Sequence, residues 1–73
     1  MMRQRKKTKY VHEGQYVAEV DVELFEDETG WSPYLSVEDA FKLDDVRDAL
    51  RRRDLDLAAR YGRIYELRPV AQG

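Results

Sequence analysis

Three carboxylates, Glu19, Asp21 and Glu23, alternate with Ala18, Val20, Val22 and Leu24. On a strand such carboxylates form one row at intervals of about 7 Å. A row of that kind can recruit cations, but it is also the ordinary solvated face of a half-buried strand, for which cross-strand lysines are sufficient partners. Asp44-Asp45 and Asp54-Leu55-Asp56 fall where helix caps belong, so capping is expected of them rather than metal binding, and Glu26-Asp27-Glu28 reads as a solvated turn. His12, the lone histidine, adjoins Glu13 and could act as a base oriented by a carboxylate. It falls at a hairpin turn, however, where no pocket would place a substrate. With no cysteine, no Ser-His-Asp spacing and no glycine-rich phosphate loop, neither enzymatic activity nor a metal or cofactor is expected.

Binding is the chemistry that remains. Arg3, Arg5, Lys6 and Lys7 make one basic cluster and Arg51, Arg52 and Arg53 a second, and together they are the candidate contacts for nucleic-acid phosphate. Each also has a structural use: the first can pair with the acidic row, and the second can offset the negative end of a helix dipole. Trp31, Tyr34 and Leu35 surround Pro33, which cannot donate to a ladder and therefore marks an edge strand. Aromatic residues are favoured at interface centres, so these three are the candidate partner-binding residues.

The elements that must position these groups follow from periodicity. Residues 8–12 form a first strand, Glu13-Gly14-Gln15 a turn, and residues 16–26 a long second strand. A three-residue loop pairs His12 with Tyr16 and sets Lys9, Lys7 and Arg5 opposite Glu19, Asp21 and Glu23, with Tyr10 and Thr8 turned inward. A two-residue loop would strand the same cations opposite Ala18, Val20 and Val22, so charge complementarity selects the longer loop. Residues 31–35 read as a short third strand. Ser36 is an N-cap with Asp39 three residues on, an imperfect capping box that opens a helix at Val37. Along that helix Val37, Ala40 and Phe41 lie nearly opposite Leu43, Val46, Ala49 and Leu50. Either the helix breaks near Leu43-Asp44 or it needs a second apolar cover, which Leu55, Ala58, Ala59 and Tyr61 can supply from a short helix capped by Asp54 and stopped by Gly62 at C′. Residues 63–70 return as a closing strand ended by Pro69.

The expected fold is α+β: an antiparallel sheet of three to four strands in the order β-β-β-α-α-β, with helices packed on one face. Residues 8–70 make its single domain, with a basic segment at 1–7 that can extend the first strand and a tail at 71–73. A chain of 73 residues supports only a modest core, so a protein partner or a second copy is expected to add stability. Charged residues are 38% of the chain but leave a net charge of only -2, so bulk charge does not favour nucleic acid. No apolar run approaches the roughly 20 residues of a membrane span and no signal-peptide core follows the basic start, so a soluble, cytoplasmic protein without membrane contact is expected.

Gly14-Gln15-Tyr16-Val17-Ala18-Glu19-Val20, followed by strands and by Ser36-Val37-Glu38-Asp39-Ala40 at a helix start, resembles the opening of HicB-type antitoxins, which carry a partial ribonuclease H fold. The likeness spans residues 10–50, with residues 26–30 replacing the family's glycine- and proline-containing turn. From residue 51 to 67 the chain is more similar to a small uncharacterised bacterial family. The resemblance implies a noncatalytic, antitoxin-like protein that binds a partner, and it assigns no functional residue.

Overall fold

The computed structural model describes residues 3–26 and 33–71. Its frame is a hairpin of two long strands, β1 (Arg3–Glu13) and β2 (Tyr16–Glu26). The loop is the two residues Gly14 and Gln15, with Gly14 at φ +59°, a left-handed conformation that glycine adopts without steric cost. It closes Glu13 against Tyr16, so Lys9, Lys7 and Arg5 lie opposite Val20, Val22 and Leu24, not opposite the acidic row. Packing decides this register. It brings Val11 opposite Ala18 on the inner face, where Val11 is buried, and it turns Tyr10 outward. Burying one valine is worth about 1.5–3 kcal/mol, whereas an exposed cross-strand charge pair contributes only about 0.2–1 kcal/mol.

β2 is the centre of the sheet. Along one side it pairs with β1; along the other it pairs at its start with β4 (Arg63–Glu66) and at its end with β3 (Tyr34–Leu35), all antiparallel. The gap between β4 and β3 is filled in two ways. Gly62 presses against the Glu19 carbonyl, and the Asp39 carboxylate accepts the Glu23 backbone N–H at 2.9 Å. The closing strand ends at Glu66, with Leu67 N–H still donating to the Gln15 carbonyl before Pro69.

The helical layer is α1 (Val37–Arg51) and α2 (Leu55–Ala58). The Ser36 hydroxyl caps α1 by accepting the Asp39 N–H, as its sequence position requires. Asp39 is too short to complete the reciprocal half of the box and instead ties the helix start to β2. The helix runs unbroken through Leu43-Asp44. Val46, Ala49 and Leu50 bury themselves against Val11, Ala18, Val20 and Val22, and Leu43 packs beside them. Leu55, Ala58 and Tyr61 join this same core, so they do not cover the opposite face of α1.

The end of α1 is a Schellman turn. Asp54 N–H reaches the Ala49 carbonyl and Arg53 N–H the Leu50 carbonyl, with Arg53 at φ +60° where glycine is usual. Asp54 then caps α2 through the Leu57 N–H. α2 ends at Ala58 with Ala59 as its C-cap, so Gly62 is not its C′ residue; its lack of a side chain serves the contact with β2.

Candidate functional site

An 11-residue strand reaches about 36 Å and a 15-residue helix about 22 Å, so α1 roofs only part of the hairpin. The Asp39 bond to Glu23 fixes where that roof begins, opposite Lys6 of β1, so Arg3 and Arg5 lie beyond it. Between β1 and α1 an open groove of about 350 Å³ is walled by Val11, Leu35, Ala40 and Leu43, with Lys9, Asp44 and Arg47 at its rim. Ala40 continues the groove onto an uncovered strip of α1. There Val37 is 69% and Phe41 63% exposed.

The inward row of β1, Arg3, Arg5, Lys7 and Lys9, shares a face with Glu26, Leu24, Val22 and Val20, and its Lys9 lines the groove. Arg5 pairs with Glu26 at 2.8 Å. Arg3, Lys6, Lys7, Lys9 and Arg47 have no ion pair among the described residues. The second basic cluster is engaged elsewhere: Arg51 holds Glu13 at 2.7 Å, Arg52 holds Asp48 at 3.0 Å, and the Arg53 guanidinium sits 5.5 Å from the centre of the Tyr16 ring. The two clusters proposed for phosphate contact are thus at opposite ends of the hairpin, and only the first has free charge.

The acidic row faces away from the helices. Glu19 accepts from the Tyr10 hydroxyl at 3.3 Å and Asp21 from the Thr8 hydroxyl at 3.1 Å, while the Gln4 amide donates to Glu23. The Glu19 charge, reinforced by that hydrogen bond, raises the Tyr10 phenol above its ordinary value of 10.0. These carboxylates are matched by polar neighbours, and no group of three or more potential metal ligands gathers among the described residues. His12 and Glu13 point to opposite faces. The His12 Nε2 lies 2.9 Å from the Gly14 carbonyl oxygen, which supports the turn, and Glu13 is held by Arg51, so the two form no dyad.

Of the predicted partner-binding residues, Tyr34 is exposed and stacks on Phe25 with ring centres 5.8 Å apart. Leu35 lines the groove, on the inner face opposite Leu24. Trp31 lies outside the described residues. Sequence reasoning passed over Lys9 and Arg47 but offered the double-faced helix, whose uncovered side is Val37, Ala40 and Phe41, as an alternative contact surface. The split phase of α1 was the signal for the last three, since a continuous helix with two apolar sides must leave one of them to be covered from elsewhere.

No helix among the described residues is long and apolar enough to cross a membrane. No protein family, no curated protein and no solved structure matches the chain.

Proposed function

We propose that this chain is a noncatalytic protein-binding module whose docking surface is the groove between β1 and α1 together with the exposed Val37-Ala40-Phe41 strip. The uncovered strip carries the reading: on the helix that walls the apolar groove, Val37 and Phe41 stand exposed in a domain whose own second helix packs elsewhere. The partner-binding role agrees with the antitoxin-like character implied by the resemblance of residues 10–50 to HicB-type proteins. The polar groups around the site have structural duties, Asp39 as the tie to β2 and Ser36 as a cap.

The test is affinity capture from the native cell with the unaltered chain and with Phe41→Ser in parallel, the captured proteins compared by mass spectrometry. Phe41 is exposed, so the substitution should change stability by no more than about 0.5 kcal/mol. A chain retained by the first bait and lost from the second supports the surface. Identical capture by both removes it.

A second reading, nucleic-acid binding, is favoured by Arg3, Lys6, Lys7 and Lys9, which have no ion pair among the described residues. It is opposed by the engagement of Arg51, Arg52 and Arg53 and by the exposed Glu38, Asp44 and Asp45 along α1. Phosphate contacts release counterions, so titration with labelled RNA and DNA must show affinity falling steeply with salt if this reading holds.

A further inference from the structure

We infer that β1 accepts an extended acidic segment of a partner protein as an added strand at its free edge. The inference rests on the docking surface proposed above and names its occupant. Among the described residues β1 has β2 on one side only, and every second residue of an edge strand turns its N–H and C=O away from the sheet. Those groups are a ready ladder for another chain.

The side chains beside that ladder select what can join it. On the inner face the row is Arg3, Arg5, Lys7 and Lys9; Glu26 lies opposite Arg3 and pairs with Arg5, whereas the observed register sets valines opposite Lys7 and Lys9, and neither lysine has an ion pair among the described residues. Arg47 adds a further unpaired cation from the helix above. A second copy pairing through its own β1 would bring this row against another of the same sign, which is destabilising. A strand with carboxylates at alternate positions would place them opposite the cations, beneath the rim of α1 where Ala40 and Asp44 face Lys9 across the groove. The chain already contains the same chemistry in reverse: β2 carries Glu19, Asp21 and Glu23 at alternate positions and forms a ladder with β1 on the other side. Lysines on an edge deter indiscriminate association. They do not deter an occupant of opposite charge, and that difference is a specificity filter.

The experiment uses the full chain and a blocked peptide, Val-Glu-Val-Glu-Val-Glu-Val, with amide exchange followed residue by residue. In the expected result the peptide slows exchange at alternate amides of β1, and its lysine counterpart binds weaker by on the order of tenfold or more. The double variant Lys7→Glu, Lys9→Glu reverses that order of preference, and N-methylation of a peptide residue whose N–H faces β1 abolishes binding by removing a ladder donor. The proposal is overturned if β1 amides stay unprotected, if both peptides bind alike, or if protection rises with protein concentration in the absence of peptide, which signals self-pairing. It is also overturned if an RNA oligonucleotide protects these amides and the peptide does not. Loss of a native partner on Phe41→Ser with no peptide protection of β1 would retain the docking surface and discard strand addition.

Discussion

Gly62→Ala is the most discriminating single perturbation of the fold. A Cβ built on Gly62 would lie 2.2 Å from the Glu19 carbonyl oxygen, 3.0 Å from its carbonyl carbon and 3.2 Å from a methyl of Val20. The obstacle is the backbone of the central strand, at the residue that β1 and β4 hold from both sides through Tyr10 and Arg63. It cannot swing aside as a flexible side chain would. Overpacking in a close-packed site costs about 1–3 kcal/mol, and a rigid backbone neighbour places this case near the upper end. At about 0.05–0.15 kcal/mol per residue the whole domain has roughly 4–11 kcal/mol of stability, so the substitution removes a large share of it. A loss of about 2–3 kcal/mol corresponds to a fall in Tm of roughly 10–20 °C for a chain of this size.

Gly14→Ala is the matching control. Nothing lies within 4 Å of its added Cβ, and only the φ of +59° opposes the substitution, at about 1 kcal/mol. Both changes restrict the unfolded chain equally, so the difference between them isolates the clash. Urea and thermal melts of the two variants supply the comparison. If Gly62→Ala is no more destabilising than Gly14→Ala, the account of how the gap along β2 is filled is wrong.

At the helix end, Arg53→Ala keeps the left-handed strain and loses the contact with Tyr16, whereas Arg53→Gly loses the contact and relieves the strain. Glycine should therefore exceed alanine by about 1 kcal/mol in urea melts. Asp39→Ala orphans the half-buried Glu23 amide and should cost about 1–2 kcal/mol, with exchange at that amide accelerated while the Ser36 cap persists. Tyr10 should ionise above the usual tyrosine range, because its neutral phenol donates to the Glu19 carboxylate and the ionised form would be repelled by it. The sign follows: with its folded pKa raised, Tyr10 favours the fold below its unfolded pKa, and that contribution disappears as pH rises through the folded value. Glu19→Gln should return the titration, followed by NMR of the labelled ring, towards the ordinary value.

Most of the fold was legible in the residues that alternate or cap. The Ala18, Val20, Val22, Leu24 stripe is buried, Ser36 and Asp54 cap their helices, and the sheet is antiparallel with four strands and two helices in the expected order. The register was misjudged because exposed charge pairs were weighted above the burial of Val11, although the single valine is the stronger term. Gly62 was misassigned for a related reason: a glycine after a short helix suggests a cap, and only the three-dimensional neighbour, a carbonyl of β2, reveals why a side chain is excluded. The site was half legible. Leu35 lines the groove and Arg3, Arg5 and Lys7 share the inner face of the hairpin while Lys6 faces away, but the absence of carboxylates opposite Lys7 and Lys9 follows from the register and was hidden by the error in it.

That register has a consequence for what the hairpin can recognise. Had the cations of β1 met Glu19, Asp21 and Glu23, both rows would have been neutralised and neither would select a partner. Had the inward row been apolar, an 11-residue free edge would be open to any strand, including another copy of itself. With Lys7 and Lys9 opposite valines, their aliphatic stems can rest on Val22 and Val20 while the ammonium groups reach solvent, so the cost of their position is small. The charge is then held on the inner side of the edge, with Lys9 in the groove beneath Ala40, and under the proposed strand addition an arriving chain would have to satisfy a backbone ladder and a positive row together. Each is weak alone. If strand addition holds, their coincidence on one side of β1 would give a domain with a small core the means to discriminate between partners.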